Sequence, residues 1–202
     1  MVGRGAACRA PLVGPGDSGE SAVSERAPDT MQMEEELVAE LELLGIRYLS
    51  RQSSYQASHV RSPEALLADL VRQPSARVRA AVIAVLLAHP GYADAMPAAI
   101  EGLLPVERLT LQTFYAAAVL LQQKHAHRLR ELMDARSRPL PFLSEHTPEL
   151  NLPDDGTPDE ALASLGREHQ RWSGSMVNWT GTYEQVARQL MRRWEMERQW
   201  KP

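Results

Sequence analysis

The side chains that could do chemistry in this 202-residue chain do not form a recognisable catalytic or metal-binding set. His125 and His127 are two residues apart in a predicted helix, so they point about 200° apart and cannot bind one metal ion. Asp154 and Asp155 lie in a proline-rich segment, where we expect both carboxylates to be solvated. The GxxxxGK[ST] phosphate-loop motif and the HExxH motif are absent from the sequence. We therefore expect a protein that is not an enzyme and that needs neither metal nor cofactor.

The candidate nucleophiles lead to the same expectation. Ser173 and Ser175 flank Gly174, but the strand–turn–helix context of a nucleophile elbow is missing. Cys8 is the only cysteine, so the chain can form neither an intrachain disulfide nor a cysteine zinc cluster.

The stretch from Trp172 to Tyr183 (WSGSMVNWTGTY) has the most unusual composition in the chain. Aromatic residues are frequent in the energetic centres of protein interfaces. One interpretation is that Trp172 and Trp179 close the end of a helical core, and the alternative is that they contact a partner or ligand. Trp200 is a further contact candidate because it lies almost at the end of the sequence, where burial is difficult.

Charge is unevenly distributed. Residues 47–138 carry a net charge of +5, whereas residues 1–46 carry −6, and the whole chain has a net charge of −4. The basic middle supports an alternative function, nucleic-acid binding, although dedicated nucleic-acid binders usually have a stronger basic bias. The phosphate contacts in that case would be Arg72, Arg77, Arg79, Arg108, Lys124, Arg128 and Arg130.

The apolar periodicity and the low aromatic content of 5% predict an all-α fold. We expect helices at about 32–49, 63–73, 76–88, 92–104, 106–133, 158–172 and 183–199. Pro97 is tolerated only near a helix start, so the fourth helix should begin at about 94–96. Thr157 and Glu160 form a capping box at the start of the sixth helix, and Thr182 with Gln185 marks the start of the seventh.

Two similar stretches are offset by 34 residues, Pro63–Leu87 and Pro97–Leu121. This spacing is typical of stacked helical hairpins. The segment PEALLADLVRQPSARVRAAVIAVLL resembles the two-helix unit of HEAT-type repeats, including a short turn followed by Val-Arg-x-Ala. The resemblance covers about 60 residues, and the second copy lacks the Val-Arg signature. It implies either a HEAT-like array or an irregular helical bundle.

We expect four segments: a disordered tail at 1–30, a hairpin array at 31–134, a proline-rich connector at 135–158, and C-terminal helices at 159–202 that pack on the array. Translation starting at Met31 or Met33 would explain the tail. No stretch approaches the length of a membrane helix, and no secretory signal is evident, so we expect a soluble cytoplasmic protein.

The sequence therefore predicts a non-catalytic accessory protein, of a size common in bacteria, that binds another protein as an adaptor, assembly factor or toxin-neutralising partner. The predicted contact residues are Arg77, Arg79, Trp172, Trp179, Arg192 and Trp200. A further alternative is a small-molecule pocket between the hairpins and the C-terminal helices, lined by Asn178 and Tyr183. The oligomeric state is left open.

Overall fold

The computed structural model describes residues 26–49, 55–133, 138–141, 147, 150 and 156–200, with side chains from residue 31 onward. Every regular element in these residues is helical, which confirms the expected all-α class. A 3₁₀ helix spans Pro90–Ala95. The α-helices are α1 (Arg26–Leu43), α2 (Pro63–Arg72), α3 (Ala76–Arg79), α4 (Ala81–Ala88), α5 (Met96–Glu101), α6 (Pro105–Lys124), α7 (Ala126–Met133), α8 (Pro158–Ser173) and α9 (Trp179–Gln199).

The core is built around α4 and α6. All residues from Ala81 to Leu87 are buried, so α4 is enclosed on every side, as its uninterrupted apolar sequence requires. The middle of α6, from Thr110 to Leu121, is also buried. These two helices pack on each other, α8 packs on α6, and α9 packs on α4, α6 and α8.

The two similar stretches of sequence lie side by side. The first helix of one stretch, α2, contacts the first helix of the other, α5. The second helices, α4 and α6, contact each other in the same way. Corresponding helices of the two stretches are therefore neighbours in the fold.

The first helix differs from its predicted bounds of 32–49 at both ends. It begins at Arg26, inside the segment expected to be disordered, and residues 1–25 lie outside the described residues. It ends at Leu43 because Gly45 has a left-handed backbone with φ of 80°. The Gly45 N–H donates to the Glu42 carbonyl, and the Ile46 N–H donates to the Leu41 carbonyl. This is a Schellman motif, which terminates the helix.

Two of the longer predicted helices are divided. The one predicted at 76–88 breaks at Ala80, where the Ile83 N–H bonds to the carbonyl three residues earlier instead of four. The one predicted at 106–133 breaks at His125. The fourth helix begins at Met96, directly before Pro97, as expected.

The two C-terminal helices have side-chain caps at their starts. Thr157 and Glu160 form the predicted capping box on α8. The start of α9 was predicted wrongly, because the cap is Asn178, whose side-chain oxygen accepts the Gly181 N–H at 3.0 Å, and Thr182 lies inside the helix. Because α9 begins at Trp179 and not at residue 183, it is one turn longer at its start than predicted.

The described part of the connector packs on α6. The Leu140 N–H donates to the Gln122 side chain at 2.7 Å, and the Tyr115 hydroxyl donates to the Pro141 carbonyl at 2.9 Å. Among the described residues, none of the helices is by itself long and apolar enough to cross a membrane. The segments Ala76–Ala88 and Pro90–Glu101 meet that test only as a pair, and they are bent by 115°.

Candidate functional site

The aromatic residues of α8 and α9 form a stack centred on His169. Its imidazole lies between the indoles of Trp172 and Trp179, nearly parallel to both, with ring centroids 4.6 and 3.8 Å away. The Tyr183 hydroxyl is hydrogen-bonded to Nδ1 of His169 at 2.6 Å. Phe114 of α6 makes T-shaped contacts with the stack. The stack therefore joins the C-terminal helices to the central helix α6.

His169 is held neutral by this environment. Burial and, to a smaller extent, the nearby positive charge of Arg79 together lower the pKa of His169 to about 3. Burial also raises the pKa of Tyr183, so both partners of the hydrogen bond are uncharged at neutral pH. The imidazole is only 2% exposed, so a substrate in solution has no access to it. The hydrogen bond therefore lies inside the core and links α8 to α9.

The two tryptophans of the predicted contact set belong to this stack. Trp179 is 2% exposed, and its indole N–H donates to the Ser175 hydroxyl at 2.9 Å. This burial corrects the expectation that Trp179 contacts a partner directly, since its ring is enclosed by the core. Trp172 is half-buried, and one face of its indole covers His169. The sequence does not single out His169, because the unusual aromatic stretch begins three residues later, at Trp172, and the contact with Phe114 joins distant parts of the chain.

The two predicted contact arginines of α3 differ in role. Arg79 donates to the carbonyl oxygens of Gln73 and Pro74, at 2.7 and 3.0 Å, and thereby holds the chain just after α2. Burial lowers the pKa of Arg79, as expected for a half-buried guanidinium. Arg77 is exposed and donates to the Tyr48 carbonyl at 2.8 Å. Only Arg77 presents its charge to the surface.

Much of the positive charge in the basic region is neutralised within the fold. Lys124 binds the carboxylates of Asp159 and Glu184, which raise its pKa. Arg128 pairs with Glu195 at 2.6 Å. Further pairs are Arg72 with Asp69 and Glu107, and Arg61 with Glu36, Glu40 and Asp69. The basic region is therefore not a continuous surface of free cations.

One side of α9 presents an exposed row of side chains at four-residue spacing. Arg192 and Trp200 of the predicted contact set lie in this row, together with Arg188 and Met196. Trp200 is 85% exposed, and Met196 is 41% exposed. Within the described residues, neither Arg188 nor Arg192 has an acidic partner. We call Arg188, Arg192, Met196 and Trp200 the α9 stripe.

An open groove of about 750 Å³ lies between α7 and the end of α9, where α9 contributes Glu195, Arg198 and Gln199 to its lining. The Arg198 side chain crosses it to the Glu131 carbonyl at 2.6 Å. Leu132 is the apolar residue of its lining, and Arg128 with Glu195 forms an ion pair on its wall.

A second cavity, of about 290 Å³, lies between α3 and α9. It occupies the position predicted for a pocket between the hairpins and the C-terminal helices. Asn178 caps α9 and Tyr183 is buried in the aromatic stack, which corrects the expectation that they line it. The polar lining is instead Tyr48, Arg77, Thr182, Gln185 and Gln189.

In the part of the chain that the structure describes, no group of three or more histidine, cysteine, aspartate or glutamate residues could hold a metal ion. Cys8 and the pair Asp154 and Asp155 lie outside that part. No protein-family model matches the chain, no curated protein matches it significantly, and no solved structure does so.

Proposed function

We propose that this protein is a non-catalytic helical accessory protein that binds another protein through the α9 stripe. The observation that carries the proposal is the exposed Trp200, one helical turn after the exposed Met196. Burying a tryptophan removes more than 150 Å² of mostly apolar surface from water, which makes tryptophan a strong interface anchor.

The charge of the stripe indicates the chemistry of the partner. Arg188 and Arg192 precede the two apolar residues along the same side of the helix, and the described structure gives neither of them a carboxylate partner. A partner surface with acidic residues next to an apolar patch would pair with the two arginines and cover the two apolar residues of the stripe. Arginine is well suited to such a contact because its planar guanidinium binds carboxylates with two hydrogen bonds.

The adjacent groove indicates the shape of the partner. An amphipathic helix commonly binds by placing its apolar side in a groove between two helices. The groove between α7 and α9 offers Leu132 as an apolar contact, and its lining residues Glu195 and Gln199 directly precede Met196 and Trp200 in the sequence. We therefore expect an acidic amphipathic helix of the partner to lie along α9.

The HEAT-like interpretation and a cytoplasmic location remain part of this proposal. The contacts of α2 with α5 and of α4 with α6 support stacked hairpins, the arrangement that helical-repeat proteins use to present binding surfaces. Nucleic-acid binding is the alternative class, and the ion pairs of Lys124 and Arg128 weigh against it.

The test is affinity capture from native-host lysate with the full chain, comparing variants at low and high salt. Trp200→Ala and Arg192→Glu should each lose a protein that the wild type retains. Met176→Ala and Arg167→Glu are matched controls, because Met176 is 94% exposed and Arg167 is exposed on α8. Retention of the same protein by all four variants would contradict the proposal, as would recovery of nucleic acid alone that is lost at high salt.

A further inference from the structure

We propose that the cavity between α3 and α9 binds a small anionic molecule through Arg77, with Gln185 and Gln189 holding its polar remainder. This site is separate from the α9 stripe. The protein would then bind a small molecule in addition to its proposed protein partner. The experiment that tests the small-molecule site does not depend on that partner.

The walls of the cavity come from three distant parts of the chain. Tyr48 follows α1, Ala76, Arg77 and Ala80 come from α3 and its end, and four residues come from the first half of α9. A ligand here would contact both the hairpin region and the C-terminal helix. Its binding would therefore stabilise the packing of α9 against the rest of the fold.

The charge of the lining selects an anion. Arg77 is its one cation, and none of its residues is acidic within the described part of the chain. One terminal N–H group of Arg77 donates to the Tyr48 carbonyl at 2.8 Å, which fixes the position of the guanidinium at the cavity wall. Its remaining N–H groups are available to a carboxylate or phosphate, both of which match the fork of donors on arginine.

Polar groups without partners mark the same cavity. The side-chain amides of Gln185, which is exposed, and Gln189, which is partly exposed, form no hydrogen bonds with the described residues, and each can both donate and accept. The Tyr48 hydroxyl is buried and also has no partner in the described structure. Leaving a hydroxyl buried without a hydrogen bond is unfavourable. An unpaired hydroxyl beside a cavity therefore indicates a position at which a ligand could hydrogen-bond.

The size and the remaining walls limit the ligand. At about 290 Å³ the cavity is at the small end of ligand sites, which suits a metabolite rather than a large cofactor. Ala76, Ala80 and Val186 provide an apolar floor. The expected ligand has one anionic group for Arg77, a short apolar middle, and an amide, hydroxyl or amine for the two glutamines.

The experiment is a thermal-unfolding screen of the full chain with two panels of probes. One panel contains amino acids and small carboxylic acids, and the other contains sugar phosphates and nucleoside monophosphates. A probe at about one hundred times its Kd should raise Tm by about 5–10 °C in a chain of this size. The panel that contains the hit distinguishes a carboxylate ligand from a phosphate ligand.

Two variants in the cavity and one outside it locate the site. Arg77→Gln should raise the Kd of the hit at least tenfold, measured by titration calorimetry. Gln189→Glu, which keeps the shape of the side chain and adds a negative charge, should have a similar effect. Arg47→Gln, at an exposed position outside the cavity lining, should leave the Kd unchanged.

The proposal fails if no probe in either panel shifts Tm. It also fails if a hit binds Arg77→Gln and Gln189→Glu as tightly as it binds the wild type. Gln189→Glu keeps the test decisive if Arg77→Gln does not fold, because Gln189 makes no hydrogen bond to the described residues.

Discussion

The imidazole of His169 lies almost parallel to the indole of Trp179, with ring centroids 3.8 Å apart and planes inclined by 6°. The first residue belongs to α8 and the second to α9, so this contact joins the two helices that close the core. The same imidazole is hydrogen-bonded to Tyr183 and faces the charge of Arg79. Protonation of His169 would therefore put a second positive charge in a buried aromatic site.

The protein should lose stability as the pH falls below about 6.5. The pKa of His169 is about 3 in the folded protein and 6.5 in an unfolded chain, so between these values the unfolded chain binds the extra proton. The stabilisation is complete above pH 6.5 and is lost progressively towards pH 3. Urea unfolding should give a free energy about 1.4 kcal/mol lower at pH 5.5 than at pH 7.5 from this group.

His169→Phe separates this effect from the titration of other groups. The variant should be less stable at pH 7.5, but its free energy of unfolding should change less between pH 7.5 and pH 5.5. His127→Gln is the control, because His127 is 83% exposed and its replacement should leave the pH dependence intact. An unchanged pH dependence in His169→Phe would refute the assignment.

Gly166→Ala should destabilise the protein strongly. A Cβ atom at Gly166 would lie 2.1 Å from the Thr180 hydroxyl oxygen and 2.9 Å from its backbone nitrogen, so α8 and α9 would have to separate. We expect a loss of about 2–4 kcal/mol, measured by urea unfolding. Gly102→Ala is the matched control, because a Cβ there meets no described atom within 4 Å, and it should change stability by less than about 1 kcal/mol.

Thr157→Ala should weaken the start of α8. The Thr157 hydroxyl accepts the Glu160 N–H, and the Glu160 carboxylate accepts the Thr157 N–H in return. Loss of such a cap costs about 1 kcal/mol of unfolding free energy. Ser75→Ala removes a cap residue whose hydroxyl makes no cap hydrogen bond on α3, and it should have a much smaller effect. Equal losses in the two variants would contradict this description of the caps.

Removing the hydroxyl of Tyr183 and removing that of Tyr48 should have different effects on the free energy of unfolding. Tyr183→Phe leaves Nδ1 of His169 buried without its partner and should cost about 1–3 kcal/mol of unfolding free energy. Tyr48→Phe removes a buried hydroxyl that has no partner among the described residues, and it should be neutral or slightly stabilising. A large loss in Tyr48→Phe would show that this hydroxyl has a partner in solution.

The sequence predicted the helices well where one local signal was sufficient. The Thr157 capping box and Pro97 each specify a helix start without help from the rest of the fold. It failed where two local signals competed, as between Asn178 and Thr182 at the start of α9. It also failed at Gly45, because the helix predicted at 32–49 runs through a position where a left-handed glycine ends α1.

The functional candidates were less predictable because they depend on contacts between distant residues. Trp179 and Trp200 have the same side chain, but one is enclosed by α6 and α8 and the other is exposed at the end of α9. The position of Trp200 in the sequence indicated its exposure, but nothing in the local sequence decided between burial and exposure for Trp179. The cavity beside Arg77 likewise combines residues about one hundred positions apart.

The central claim, that the α9 stripe is a protein-binding surface, is tested most directly by site-specific photo-crosslinking in the native host. A photoreactive phenylalanine analogue is placed in the full chain at Met196 and, as the control, at the more exposed Met176. We predict that Met196 yields one discrete adduct with another protein, that Met176 does not, and that Arg192→Glu abolishes the adduct. Absence of an adduct at Met196, or the same adducts at both positions, would contradict the claim.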